Sequence, residues 1–324
     1  MSELDYTFAV ARVRVLEKSL LTDADIAQMT ALSDEPAVLQ FLAGKGWGES
    51  GAAHQTAEDM LACETEKTKQ TVRELLAEPE LLQIFSYQDM YHNLKAAIKV
   101  TCTQGEAPGV FVSCPGFDRE RMLQIVGEKA WRDLPAHMQE AAAEAYQTLL
   151  QTRDGQRCDI ILDRAALEAI AKAGKESDEP VIRDYADRLV SVADIRIAVR
   201  AAGVGKNREF LTKALAPCPS LDAAGLARAA AAGKESVIAW LRTTRFAPAA
   251  DALAQSPSAF ERWCDDEMTE AIRPQKRNPF SAGPVIAYML ARQNEIRMAR
   301  ILLTAKANGL PETAIRERTR RMYG

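Results

Sequence analysis

Gly203-Val204-Gly205-Lys206 carries the glycines and lysine of a loop that could cradle phosphate groups. Such a loop needs GxxxxGK followed by Ser or Thr on a strand-to-helix turn, so that backbone N–H groups and the lysine converge on the phosphates. Asn207 follows the lysine here and the segment before it reads as helix, so the spacing predicts a helix C-cap and a turn. Asp163 and the run Asp265-Asp266-Glu267 offer carboxylates for metal binding or general acid–base work. Asp163 and Asp265 lie 102 residues apart, within one of an internal repeat interval of 101. Equivalent positions in repeated units are expected to be caps or inter-helix salt bridges and not members of one site. Gly-Lys-Glu-Ser occurs at 174–177 and at 233–236, out of register with that interval, and reads as two Gly-terminated helices with Ser as the next cap.

The histidines, His54, His92 and His137, have no ligand spacing. The six cysteines (63, 102, 114, 158, 218 and 264) contain no CxxC pair and read as reduced, small core residues. No Ser or Cys sits in a nucleophile-elbow context. The sequence therefore predicts no catalytic residue, no metal site and no cofactor.

The interval itself comes from a marker that occurs three times: Asn93-Leu94-Lys95-Ala96-Ala97, Asp194-Ile195-Arg196-Ile197-Ala198 and Glu295-Ile296-Arg297-Met298-Ala299. The scheme is a polar or acidic residue, a branched aliphatic, Lys or Arg, any residue, then Ala. A fixed period indicates duplicated units, and three of them suit an approximate threefold body such as a cap, ring adaptor or socket. Leu94, Ala97 and Ile98 share one helical face, as do Ile195, Ala198 and Val199; this predicts core packing, with Ala admitting close helix approach. Lys95 and Lys99, like Arg196 and Arg200, stand four apart on a shared face, where like charges repel by a few tenths of a kcal/mol unless acids answer them. In the third copy Ile301 takes the Lys99 position and Arg300 is displaced by one. These six cations, Lys95, Lys99, Arg196, Arg200, Arg297 and Arg300, are the candidate inter-unit ion-pair or partner-contact residues.

The elements that must position them read almost wholly as helix. Apolar residues at helical spacing predict helices over 6–21, a short one over 26–32, then 56–76, 135–151, 159–173, 226–232, 236–242, 259–272 and 284–308. Segments rich in Gly and Pro at 103–117 and 216–219 predict linkers, dividing the chain into units 1–115, 116–217 and 218–324. Gly109–Ser113 is the one tempting strand, so the fold class is all-α. The run Arg316–Arg321 reads as the cationic end of a helix, favoured by its dipole.

The chain has 324 residues, 47% hydrophobic, 27% charged and 6% aromatic, with a formal net charge of -4. A chain this long buries about 75% of its unfolded surface, enough for a sizeable core. The charge gives no reason to expect nucleic acid or acidic lipid as partner. The start of the chain has neither a cationic n-region nor an apolar h-region, and no run approaches 18 apolar residues. A soluble, cytosolic protein is expected.

Four stretches in order carry a family resemblance: Tyr6-x-x-Ala9-x-x-Arg12-x-Arg14 with Leu20-Leu21; Asp89-x-x-x-Asn93-Leu94-Lys95; Asp159 to Arg164, followed by Arg183-Asp184-Tyr185 and Asp194-Ile195-Arg196; and Asn294 to Arg297, leading to Lys306 to Pro311 and Ile315 to Arg318. Together they span essentially the whole chain, and it resembles the C subunits of bacterial and archaeal V/A-type ATPases, which are similar to the d subunits of the eukaryotic vacuolar enzymes. Asp194-Ile195 stands where that family tends to carry Asn-Leu. The resemblance implies a pseudo-threefold funnel of three helical units, without catalysis of its own. It implies a central-stalk socket joining the central shaft to the membrane rotor ring and passing torque for proton or sodium transport. It implies a location on the cytoplasmic side, peripheral to the membrane, with no small-molecule substrate. The alternative is a free-standing helical scaffold, although solenoid units run to 20–50 residues and the interval of 101 is longer.

Overall fold

The computed structural model describes residues 6–49, 56–103, 105 and 109–324. Among them the secondary structure is helical, as the all-α expectation requires, and the one β feature is an isolated bridge between Cys218 and Leu221. Val110–Ser113 forms no strand. The helices are α1 Thr7–Leu16, α2 Asp23–Ala31, α3 Glu35–Gly44, α4 Ala57–Leu75, α5 Tyr87–Thr103, α6 Arg119–Glu128, α7 Ala136–Thr152 and α8 Gly155–Glu176. They continue as α9 Pro180–Gly203, α10 Arg208–Ala214, α11 Ala223–Ala231, α12 Lys234–Leu241, α13 Ala247–Gln255, α14 Pro257–Ile272, α15 Gly283–Ala307 and α16 Glu312–Arg316. No helix among the described residues is long and apolar enough to cross a membrane.

Short polar side chains set many of the starts. Thr22 and Asp25 form a reciprocal capping box on α2, and Thr56 and Asp59 another on α4. Asp34, Asp118, Asp222 and Ser256 each accept an N–H from the first turn they precede. Each such cap contributes about 1 kcal/mol by satisfying a donor the helix cannot. Asn308 ends α15, Gly309 follows at φ +64, and Pro311 bars continuation.

Several boundaries differ from the expectation for identifiable reasons. The helix expected from Asp159 begins at Gly155, because the Asp154 carboxylate accepts the N–H groups of Gln156 and Arg157. That helix runs through buried Gly174 to Glu176, with Ser177 as its last cap, so neither glycine nor serine acts as predicted there. Gly233, at φ +114, is itself the residue preceding α12, and Ser236 lies inside that helix. Of the Arg316–Arg321 run only Arg316 lies at a helix end. The helix stops at Arg316, while Arg320 and Arg321 reach Asp265 and Asp266. Residues 50–55, His54 among them, lie outside the described residues, as do 104 and 106–108 of the 103–117 linker.

The chain gathers into two compact units. The first comprises Met1–Pro79, Glu179–Tyr185 and Phe246–Gly324; the second comprises Glu80–Asp178 and Ala186–Arg245. In the first unit α15 packs along α3 and α4, and its Ile296, Ala299, Leu302 and Leu303 share a core with Met29, Leu42 and Leu61. In the second, α5 packs along α6, α7 and α8, and its Leu94, Ala97 and Ile98 share a core with Met122, Met138 and Leu162.

Candidate functional site

The three marker copies fall on the long helices α5, α9 and α15. Leu94, Ala97, Ile98, Ile195 and Ala198 are fully buried, as the apolar face predicts, whereas Val199 is half-buried; in the third copy Ala299 is fully buried and Ile296 nearly so. The first residue of each copy is also buried, a feature for which the sequence suggested no role. The Asn93 amide donates to the carbonyls of Val112 and Phe117 at 2.9 Å, and its oxygen accepts the Val112 N–H at 2.9 Å. Asp194 accepts the Ala216 N–H at 3.1 Å. Glu295 accepts the Leu21 N–H.

These groups differ in charge. Burial pushes the Asp194 carboxyl up to about 7, against the opposing Ala216 N–H and the nearby Arg164 guanidinium. One Asp194 oxygen is buried without a hydrogen-bond partner. Burial likewise raises the Glu295 carboxyl, opposed by Arg292, whose guanidinium pairs with Glu295 at 2.5 Å and with Glu64. The same guanidinium stacks 4.8 Å from the centre of the Trp47 ring. Glu64 also accepts the Gly48 N–H at 2.9 Å and pairs with Lys67 at 2.8 Å. This buried Glu64–Arg292–Glu295 network was not legible from spacing, since its members lie far apart in the chain.

The candidate cations occupy several settings. Lys95 pairs with Asp163 at 2.7 Å and Lys99 with Asp159 at 2.6 Å, both across from α5 to α8. Arg300 pairs with Glu58 at 2.5 Å, from α15 to α4. Arg196 is half-buried and Arg200 exposed on α9, and both make interactions of their own. Arg297 is exposed and its charge acts on Tyr185, whose hydroxyl burial pushes up to about 12. Half-exposed pairs of this kind contribute about 0.2–1 kcal/mol each, so they orient helices more than they hold the fold.

The groups considered for chemistry are engaged structurally. Asp163 is the partner of Lys95, and Asp265 accepts from Arg320 at 2.7 Å. Asp266 accepts the Arg321 N–H at 2.9 Å. Gly203–Lys206 forms the turn after α9, with the Lys206 N–H returning to the Ala201 carbonyl at 3.0 Å. The Lys206 ammonium meets Gln156 at 2.7 Å and lies 4.9 Å from the centre of the Phe210 ring. His92 Nε2 lies 2.7 Å from the Val110 carbonyl. His137 sits 4.3 Å, centre to centre, from the Tyr87 ring, and burial lowers its pKa. Among the described residues no three His, Cys, Asp or Glu side chains are grouped to hold a metal ion.

Two recesses among the described residues offer room for a ligand or a partner segment. A groove of about 1170 Å³ lies between α7, α8 and α10 in the second unit, with Glu140 and Glu144 on one side and Lys206 and Lys213 among its cations. A recess of about 370 Å³ in the first unit is lined by Arg12, Lys67 and Arg292 together with Glu64 and Glu74. Both mix charges of either sign, a lining suited to a polar protein segment.

The fold and the site thus describe an all-helical protein whose three marker helices are anchored by buried polar side chains. The sequence pattern of the ATP synthase (C/AC39) subunit family matches residues 9–318. The chain belongs to that family. It is 25% identical to the C subunit of the V-type ATP synthase of Thermus thermophilus, over 97% of this chain and 98% of that protein. It is 20% identical to the C subunit of the V-type sodium ATPase of Enterococcus hirae, over 81% of each. It is 25% identical to the C subunit of the A-type ATP synthase of Methanocaldococcus jannaschii, over 49% of this chain and 42% of that protein.

Proposed function

We propose that this protein is the central-stalk component of a rotary V/A-type ATPase, a socket that joins the central shaft to the membrane rotor ring and passes torque between them. The observation that carries this reading is the family match over residues 9–318. The near full-length likeness to the C subunit of a V-type ATP synthase supports it. In this reading the chain has no reaction of its own; it couples ATP hydrolysis or synthesis in one part of the machine to proton or sodium movement in another. It works on the cytoplasmic side, peripheral to the membrane through the ring.

A part that transmits torque needs stiffness and two contact faces. Stiffness is supported by side chains that tie loops to helices from inside, such as Asn93 with its three backbone bonds, because close-packed interiors transmit strain. The 101-residue interval supports a body of three helical units, 1–115, 116–217 and 218–324, set as a pseudo-threefold funnel. Lys95, Lys99, Arg196, Arg200, Arg297 and Arg300 are the cations proposed to order the units or meet the neighbouring subunits.

The test is to purify the tagged native protein from its own membranes in mild detergent and identify what accompanies it by mass spectrometry. ATPase head, shaft and ring subunits are expected. Recovery of the chain alone, or with unrelated partners only, overturns the reading and leaves a free-standing helical scaffold.

A further inference from the structure

The groove between α7, α8 and α10 lies wholly within the second unit. Helices α7 and α10 each pack on α8, so α8 is its floor and the other two are its walls. The lining follows α8 from Gln156 to Lys172. That stretch rises about 24 Å, or between four and five helical turns, which is long for a small-molecule ligand. Ile160 and Ile161 of α8 and Phe210 of α10 give the groove its apolar strip, and all three are only half-buried by the chain's own packing. Val204, 71% exposed, stands next to the lining residue Gly205 and extends the apolar surface at one end.

Most charges around the groove are answered by near neighbours. Arg164 pairs with Glu168 at 2.8 Å, Lys213 with Glu209 at 2.8 Å and Arg157 with Asp154 at 3.3 Å. Three charges are not answered. Glu140 and Glu144 stand four apart on α7, both exposed, and among the described residues neither has an ion-pair or hydrogen-bond partner. No Lys or Arg occurs in α7 to offset them. Like charges at this spacing repel by a few tenths of a kcal/mol, so the wall they form favours an incoming cation. On the side of α10, the Lys206 ammonium meets only the neutral Gln156 side chain and the Phe210 ring, with no carboxylate.

We infer that this groove seats one amphipathic helix of another protein, about four turns long. Its apolar stripe covers Ile160, Ile161 and Phe210. Two Lys or Arg residues four apart along one edge meet Glu140 and Glu144, and an acidic residue on the other edge meets Lys206. A helix suits the acidic wall because four residues rise about 6 Å in both partners, which keeps cations in register with carboxylates when the axes run side by side. Helices bound in grooves present anchors at i, i+3, i+4 and i+7 in this way, and complementary edges fix their direction and register. The inference rests on the groove's own lining and stands whether or not the protein serves a rotary ATPase.

Site-specific photo-cross-linking tests it on the full chain. A photoreactive phenylalanine analogue is placed at Ala141, Ile161 or Phe210, one position at a time, and the tagged protein is irradiated in its own cells and purified. Mass spectrometry of the cross-linked peptide is expected to find one segment of a different polypeptide, with Lys or Arg four apart beside apolar residues at helical spacing. Glu140→Lys together with Glu144→Lys should cut the yield at least fivefold, and Glu140→Gln together with Glu144→Gln should cut it less. Neither carboxylate has a partner within the chain, so both double variants should melt within about 2 °C of the parent.

The captured segment, made as a synthetic peptide, gives the second measure. Its Kd for the purified chain should rise at least tenfold with the double reversal, and a peptide with its two cations changed to Glu should bind the reversed chain better than the parent. Cross-links only to a second copy of this chain, to a segment without paired cations, or to nothing from all three positions overturn the inference. So does a yield or Kd that the reversal leaves unchanged. Co-purification of ATPase subunits reads the proposed function separately: a cationic helix captured in their absence sustains the groove alone, and their presence without a cross-link sustains the rotary role alone.

Discussion

One oxygen of Asp194 accepts the backbone N–H of Ala216 at 3.1 Å, and the other is buried without a hydrogen-bond partner. Asn93, at the equivalent marker position, uses a donor as well as an acceptor on the segment it holds. A protonated Asp194 is the closer mimic of that amide, and burial raises its pKa to about 7. A carboxyl whose folded pKa exceeds its unfolded one binds more protons when folded, so its ionisation favours unfolding. The resulting penalty is absent below pH about 4, grows toward pH 7 and is complete above it. Asp194→Asn should therefore stabilise the protein at pH 8, by on the order of 1–3 kcal/mol, and leave it nearly unchanged at pH about 4.5. Urea denaturation of both proteins at the two pH values checks this; a difference that does not vary with pH refutes it.

Arg292 is the counter-charge to Glu295 in the Glu64–Arg292–Glu295 network, and it is buried with both carboxylates. Removing one partner of a buried pair leaves uncompensated charge and costs about 3–5 kcal/mol. Arg292→Met should lose stability on that scale although methionine keeps much of the packing volume. Adding Glu64→Gln and Glu295→Gln should recover a large part of the loss, because no buried charge is then left without a counter-charge, and the Lys67 ammonium released from Glu64 is half-exposed. Equal stability of the single and triple variants in urea would contradict the electrostatic account.

What the sequence revealed followed from the range of the interaction concerned. Helical spacing is local, so the all-α class and the buried faces of Leu94 and Ile195 could be read directly. The Thr22, Asp118 and Asp222 caps act over two or three residues and were within reach of the same reading. Asp154 caps α8, but the Gly155 that follows it is a poor helix former, so periodicity alone places the start at Asp159. The ion pair of Lys95 with Asp163 spans 68 residues, and the Glu295 bond to Leu21 spans 274. Nothing in spacing alone selects such partners. The one available signal was that a polar residue opens every marker copy on an otherwise apolar face.

The marker alanines have a consequence that volume alone predicts. Ala97, Ala198 and Ala299 are each fully buried at the last marker position, where a larger side chain would force neighbouring helices apart. Overpacking a core typically costs about 1–3 kcal/mol. Ala299→Leu should lower stability by that amount or more, while Ala299→Gly should cost about 1 kcal/mol through helix propensity. Thermal melts of the two variants separate the causes: if Leu is tolerated as well as Ala, close helix approach is not what the position requires.

The three marker cations distinguish a structural role from an assembly role. Lys95 is half-buried in an ion pair with Asp163, Arg196 is engaged on α9, and Arg297 is exposed on α15. Reversal of an exposed charge costs the fold little, since such pairs contribute about 0.2–1 kcal/mol. A protein interface can lose far more, because like charges brought together there are desolvated. Lys95→Glu, Arg196→Glu and Arg297→Glu in one chain should therefore retain helical circular dichroism and a cooperative melt, while losing co-purification with shaft and ring subunits. The single Arg297→Glu variant isolates the most exposed of the three and should weaken association without lowering the melting temperature by more than about 2 °C. If the triple variant unfolds, the cations act within the chain; if it remains folded and still co-purifies, they contact no partner.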